Sequence, residues 1–233
     1  ETITMGYRFQ NVEVTGVAPN DQTNFLKNET RTTSRITPAY IYDSRDNFLN
    51  PSKGWRHVIT SDLAGLGGLK FTRSMYEIVY YRPLIEKLVF GAHGRINYGA
   101  GYGGDTLPAF ERYFMGGPTT LRGFTIQDVG PRDKRGDPVG GSKALLLNLE
   151  LQYPFTKSMR GFLFYDRGNV YGTGPDTSLS SEDIDLGKMR HSIGAGFRFM
   201  SPMGPLGFAY GIKLDPQSGE PMGQFHFSAG SAF

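Results

Sequence analysis

Cysteine is absent from the 233 residues, which excludes disulfide staples, thiol nucleophiles and cysteine-based metal sites. No stretch approaches the ~18–20 continuous apolar residues of a membrane-crossing helix, and mean hydropathy is only −0.36. Net charge is small, at +3. The basic residues are scattered and accompany no nucleic-acid-binding pattern, so no nucleic-acid partner is indicated. His57, His93, His191 and His226 stand singly, without metal-ligand spacing, and no G-x-S-x-G marks a nucleophile. Neither an enzyme nor a metal or other cofactor is expected. The glycine-rich run 99–104 lacks the strand-to-helix setting of a phosphate loop and reads as a flexible turn. No signal-peptide pattern precedes Glu1, where the chain already reads as strand, so it looks like a fragment or mature piece.

What is abundant is glycine, with 32 residues, and aromatic side chains, at 13%. Both fit a transmembrane barrel, which uses aromatics at its interfaces and glycine at bends, and whose alternation makes average hydropathy look soluble. Period-two alternation dominates. Over 143–153, Leu145, Leu147, Leu149, Leu151 and Tyr153 share one face, while Ala144, Leu146, Asn148, Glu150 and Gln152 share the other. Further on, Ile193, Ala195, Phe197 and Phe199 oppose Ser192, Gly194, Gly196 and Arg198. Bulky apolar residues on one face and small or polar ones on the other suit a lipid-facing wall around a wet interior.

Counting such runs gives about eleven strands, over 2–15, 31–45, 55–65, 70–83, 86–100, 107–115, 143–154, 160–171, 189–201, 205–214 and 223–233. Short connections near 82–85, 154–157 and 201–205 alternate with longer polar ones at 16–30, 116–142 and 172–188. That asymmetry belongs to outer-membrane barrels. The expected fold is all-β, an antiparallel transmembrane β-barrel occupying 1–233 as one partial domain. An odd strand count cannot close such a barrel in up-and-down order, so either a strand is missed or part of a larger barrel is absent.

The Gly/Pro-broken segment from Met115 to Phe124 carries one arginine, Arg122, between two alternating runs. Two lone acids downstream, Glu150 and Asp166, lie on strand faces that also carry small or polar residues. A guanidinium can bridge two acceptors through its planar fork, which lysine cannot reproduce. On the residues alone the segment is either a loop folded into a lumen, with Gly123 allowing a tight turn and Phe124 packing on the inner wall, or a surface loop with an incidental Arg-Gly-Phe. Phe162 and Phe164 share the Asp166 face and offer Phe124 a landing place. Asp43, Arg45 and Asp46 at a strand end either pair inside the rim or close a local turn through Asx bonds.

Four segments carry a family resemblance. They are Phe110–Gly117 leading into Leu121-Arg122-Gly123-Phe124, the run Phe164–Tyr171, Tyr42–Asn47 followed by Pro51–Gly54, and Phe199–Leu206 with the terminal aromatic Phe233. Their order over nearly the whole chain resembles the C-terminal barrel of BamA-type outer-membrane assembly factors and their relatives, the two-partner secretion transporters. The resemblance implies the C-terminal portion of a barrel of about sixteen strands, with its first strands and periplasmic domains outside this chain.

It also implies a bacterial outer-membrane location and a non-enzymatic insertase that folds client barrel proteins through a lateral seam. The lumenal loop of Arg122, Gly123 and Phe124, held by Glu150 and Asp166, would brace the barrel. The terminal strand, with Phe225, Phe227, Gly230 and Phe233, would form one side of the seam. Implied partners are unfolded outer-membrane clients, the lipid bilayer, and accessory assembly lipoproteins acting through the periplasmic domains. The alternative is a two-partner-secretion-type transporter exporting an unfolded protein. A passive porin or adhesin-like barrel would need no lumenal arginine–acid contact, and a soluble β-sandwich would stay monomeric without detergent.

Overall fold

A strand that is apolar on one face only must find its backbone partners in neighbouring strands and its apolar neighbours in lipid. The computed structural model describes residues 1–16, 29–133, 135–156, 158–172, 184–202 and 204–230. Within them lie ten strands: β1 (Thr2–Val14), β2 (Glu29–Asp43), β3 (Gly54–Gly68), β4 (Phe71–Ile85), β5 (Leu88–Gly101), β6 (Lys143–Pro154), β7 (Met159–Tyr171), β8 (Arg190–Ser201), β9 (Gly204–Lys213) and β10 (Gly223–Ala229). They form one antiparallel meander in chain order, each strand pairing with the next. Among the described residues β1 pairs only with β2, and β10 only with β9.

The sixth of the eleven expected strands, 107–115, is not a strand. It belongs to the β5–β6 connection, residues 102–142, and holds a single 3-10 turn at Ala109–Glu111. Its apolar spacing imitates a strand because Leu107 and Met115 are buried against the inner wall rather than placed in a ladder. The β4–β5 turn also falls later than 82–85, at Glu86–Lys87, where Glu86 has φ 45°. Gly99 and Gly101 are strand residues of β5, so only the end of the 99–104 run turns.

The two faces divide as the alternation requires. On β6, Ala144, Leu146, Asn148, Glu150 and Gln152 are buried toward the lumen, while Leu147, Leu151 and Tyr153 stand exposed outside. The β6–β7 register pairs Asn148 with Asp166 and Glu150 with Phe164, making the two acids diagonal neighbours on the inner wall. Outside, Phe208 of β9 meets Phe197, Phe225 and Phe227, with ring centroids 5.1, 6.1 and 5.2 Å away.

Buried residues of the β5–β6 connection reach into the lumen. Met115, Leu121, Phe124 and Val129 of this loop form an apolar cluster with Ala144 and Leu146 of β6 and Val170 of β7. At the other arm of the sheet, Leu107 packs with Ala64 of β3 and Phe71 of β4. The 44–53 turn is drawn to the opposite rim of the lumen. Arg45 grips Asp43 through two bonds of 2.9 and 2.7 Å, and Asp46 accepts the N–H groups of Ser52 and Lys53 at 2.8 and 3.1 Å. Both readings of this segment thus hold, a local turn and an ion pair. Arg160 of β7 fastens it by donating to the Pro51 carbonyl at 2.8 Å.

Candidate functional site

The backbone of the loop tip is shaped before any side chain binds. Gly117 N–H donates to Leu121 O at 3.1 Å and Gly116 N–H to Thr120 Oγ1 at 3.0 Å, closing a turn that presents Arg122 at its end. Gly123 then takes φ +86°, a conformation that a side chain would strain.

Arg122 reaches the acids of β6 and β7. Its own N–H and its Nε donate to Asp166 Oδ2 at 3.0 and 2.8 Å, and Nη2 donates to Oδ1 at 2.7 Å. Nη1 donates to Glu150 Oε1. Arg198 of β8 occupies the rest of Glu150, with bonds of 2.9 and 2.7 Å, and Gln152 donates to it at 2.7 Å. Two arginines and two carboxylates therefore balance in a network where Asp166 is 0% exposed, Glu150 1% and Arg122 5%. Nearly every acceptor position of the acids is used, which buried charges require.

The aromatic floor receives the cation rather than the ring. Arg122 lies 3.8 Å above the Phe164 centroid and Arg198 4.0 Å above Phe162. Phe124 does not land there. It turns toward β8 and β9 and sits beneath Arg190 and Lys213, at 4.9 and 5.0 Å. An aromatic face attracts a guanidinium more specifically than it attracts another ring, and that preference sorts the two side chains. Above Phe124, Glu220 of the β9–β10 loop joins Arg190 at 2.7 Å and Lys213 at 3.4 Å. Hydrogen bonds from Arg190 hold the Glu220 carboxyl down at about 2.

Further contacts close around the tip. Ser192 Oγ donates to the Arg122 carbonyl, and Asn148 Nδ2 donates to Thr120 O at 2.7 Å. Gly123 N–H donates to His226 Nε2 of β10 at 2.8 Å. A second anchor lies far along the same loop. Glu111 accepts from Arg35 of β2 at 2.8 Å and from Arg73 of β4 at 2.5 Å.

Of the residues singled out in the sequence, Arg122, Gly123, Glu150 and Asp166 come together, with Phe124 adjacent but turned away. Phe225 and Phe227 face outward, 61% and 53% exposed. Gly230 N–H donates to Pro205 O at 2.8 Å beyond the end of β10. Phe233 lies outside the described residues. Glu111, Arg198, Ser192 and His226 were not singled out as site residues. Ser192, Arg198 and His226 stood on polar strand faces, which was the available signal. Glu111 was hidden by the reading of 107–115 as a strand.

Residues 1–233 match the Omp85 superfamily domain over their whole length. The chain belongs to the Omp85 superfamily. Its barrel is similar to the outer membrane protein assembly factor BamA of Nitratidesulfovibrio vulgaris, 30% identical over 100% of this chain and 30% of that protein. It is 24% identical to the BamA of Neisseria meningitidis, over 93% of this chain and 32% of that one. The human sorting and assembly machinery component 50 homolog is 28% identical over 80% of this chain and 42% of its own length. The crystal structure of BamA from Haemophilus ducreyi lacking POTRA domains 1–3 shares the fold, with a TM-score of 0.78 over 98% of this chain and 50% of that one, at 22% identity. This Omp85 barrel thus spans less than half the length of these curated relatives. The BamA-type resemblance read from the sequence is borne out, and with it an antiparallel β-barrel of the outer membrane.

Proposed function

We propose that this chain is the barrel part of an outer-membrane insertase that folds client β-barrel proteins without covalent catalysis. The observation that carries the reading is the state of β10. This strand has seven residues. It is held on one side by β9 over Gly223–Ala229 and on its inner face by the lumenal loop. So short a strand makes few ladder bonds, and an incoming strand can compete for its N–H and C=O groups.

The seam, with Phe225 and Phe227 on β10 and Gly230 and Phe233 after it in sequence, is where a client strand would add. Phe225 and Phe227 would anchor that edge among lipid tails. Arg122, Gly123 and Phe124 would brace the wall behind it through Glu150 and Asp166. The relatives named as assembly factors support this reading, as does the reach of the β5–β6 connection into the lumen, which a transporter of unfolded chains would have to clear. Unfolded outer-membrane proteins would be the clients, and accessory lipoproteins would act through periplasmic domains outside this chain.

The test is insertion of a purified client barrel into liposomes, followed by heat-modifiable gel shift. The full-length protein is compared with its Arg122→Ala variant. Acceleration by the parent that drops in the variant supports the reading. No acceleration, with pore conductance instead, moves the function to secretion transport.

A further inference from the structure

The inner face of β10 presents two polar side chains whose partners lie on the lumenal loop. His226 Nε2 accepts the Gly123 N–H at 2.8 Å, and the Thr125 hydroxyl donates to Gln224 Oε1 at 3.2 Å. His226 is 5% exposed, near the middle of a strand that otherwise rests on the β9 ladder from Gly223 to Ala229.

A backbone N–H can donate to Nε2 only while that nitrogen keeps its lone pair, so the ring in this arrangement is neutral and carries its proton on Nδ1. A proton added at Nε2 would set donor against donor and place a second cation beside Arg122. The surroundings offer that cation little compensation. A cavity of about 260 Å³ beside the ring is lined by His93 and Arg95 of β5, Arg122 of the loop and Arg198 of β8. Lys213 of β9 stands beyond Phe124. The acids in reach are Asp166 of β7 and Glu150 of β6, and arginines already engage both oxygens of each.

We propose that His226 is a proton-controlled tie between the terminal strand and the lumenal loop. Neutral, it holds the inner face of β10 on Gly123. Protonated, it lets go, and β10 is left tied to the loop by the longer Thr125–Gln224 bond while the Arg122 contacts with Asp166 and Glu150 remain. Where the insertase reading holds, on which this last consequence rests, the loosened strand is the one a client meets.

The experiment follows hydrogen exchange of the peptide covering 223–230 in the full-length protein in liposomes. Wild type, His226→Gln and His226→Phe are measured at about pH 7.5 and about pH 4.5, the lower value set well under the ordinary imidazole range because the neighbouring cations oppose protonation, with rates corrected for chemical exchange. Gln Oε1 can accept the same N–H and does not titrate. Wild-type protection should fall about three- to tenfold at the lower pH, the scale of one lost hydrogen bond. His226→Gln should stay protected at both pH values and His226→Phe at neither.

Wild-type protection independent of pH, or an equal pH response in His226→Gln, would overturn the tie. If His226→Phe fails to fold, wild type against His226→Gln decides alone. Client folding measured in parallel separates the two ideas. A pH response in exchange without one in client folding supports the tie and removes its place in insertion.

Discussion

Gly123 of the loop and Gly211 of β9 meet backbone to backbone: a Cβ added to Gly211 would fall 2.6 Å from the Gly123 amide nitrogen and 2.8 Å from its Cα. The loop therefore lies directly on the wall, which is how its N–H reaches His226 on the next strand. Gly211→Ala should push the tip away, at about 1–3 kcal/mol, the ordinary cost of overpacking. Its melting temperature should drop, and proteolysis within 115–125 should quicken. Gly6→Ala, whose added Cβ would meet nothing closer than 3.7 Å, is the control and should be neutral.

The fork of Arg122 can be separated from its charge. Arg122→Lys keeps the cation but cannot reach both oxygens of Asp166 and one of Glu150 together. It should recover less than half of the stability lost in Arg122→Ala. That loss should approach the ~3–5 kcal/mol of a fully buried pair, since Asp166 is 0% exposed and Glu150 1%. A thermal denaturation cycle with Asp166→Asn measures the coupling, and additive effects of the two changes would refute the contact's importance.

Glu111 anchors the other end. Glu111→Gln leaves Arg35, which is 4% exposed, and Arg73 with only the more distant Asp62 carboxylate, at 3.5 and 3.8 Å. The expected cost is about 2–4 kcal/mol, somewhat under a fully buried pair. Exchange should rise at 107–113 while the amide of Arg122, bonded to Asp166, stays protected. Equal loosening at both ends would show that the loop moves as one body.

Glu220 gives a prediction in acid. Its carboxyl is lowered from 4.5 to about 2 by the Arg190 hydrogen bonds. A depressed acid stabilises the folded state above its unfolded value, and that contribution fades as pH falls from about 4.5 toward 2. Wild type should therefore melt above Glu220→Gln at neutral pH, and the gap should close across that window. The side chain sits in a surface loop, 14% exposed, so solvent screening should trim the gap. A gap unchanged at pH 2 would contradict the assignment.

How much of this was written in the sequence depends on what each residue obeys. Strands such as β6 were legible because lipid outside and loop inside impose a strict period of two on Leu145 to Gln152. Arg122, Glu150 and Asp166 were legible as lone charges in such a pattern. Residues 107–115 misled because a loop packed on an inner wall, with Leu107, Glu111 and Met115 turned toward partners, mimics the same period. Phe124 was placed on the wrong patch because spacing says that a ring is buried, not which cation covers it. His226 was passed over because a polar strand face says that a histidine points inward, not that its partner is a backbone N–H on a distant loop.

The β5–β6 loop is fixed at Glu111 to the arm of the sheet holding β2 and β4, and at Arg122 to the arm holding β6 and β7. It thus runs as a chord across a curved wall. A meander joined only by hairpins could flatten or tighten by small continuous changes in twist. A chord of fixed length forbids that, because any change of curvature must strain or release one of its ends. The aperture of this wall should therefore change in steps, with both ends held, one released, or neither held.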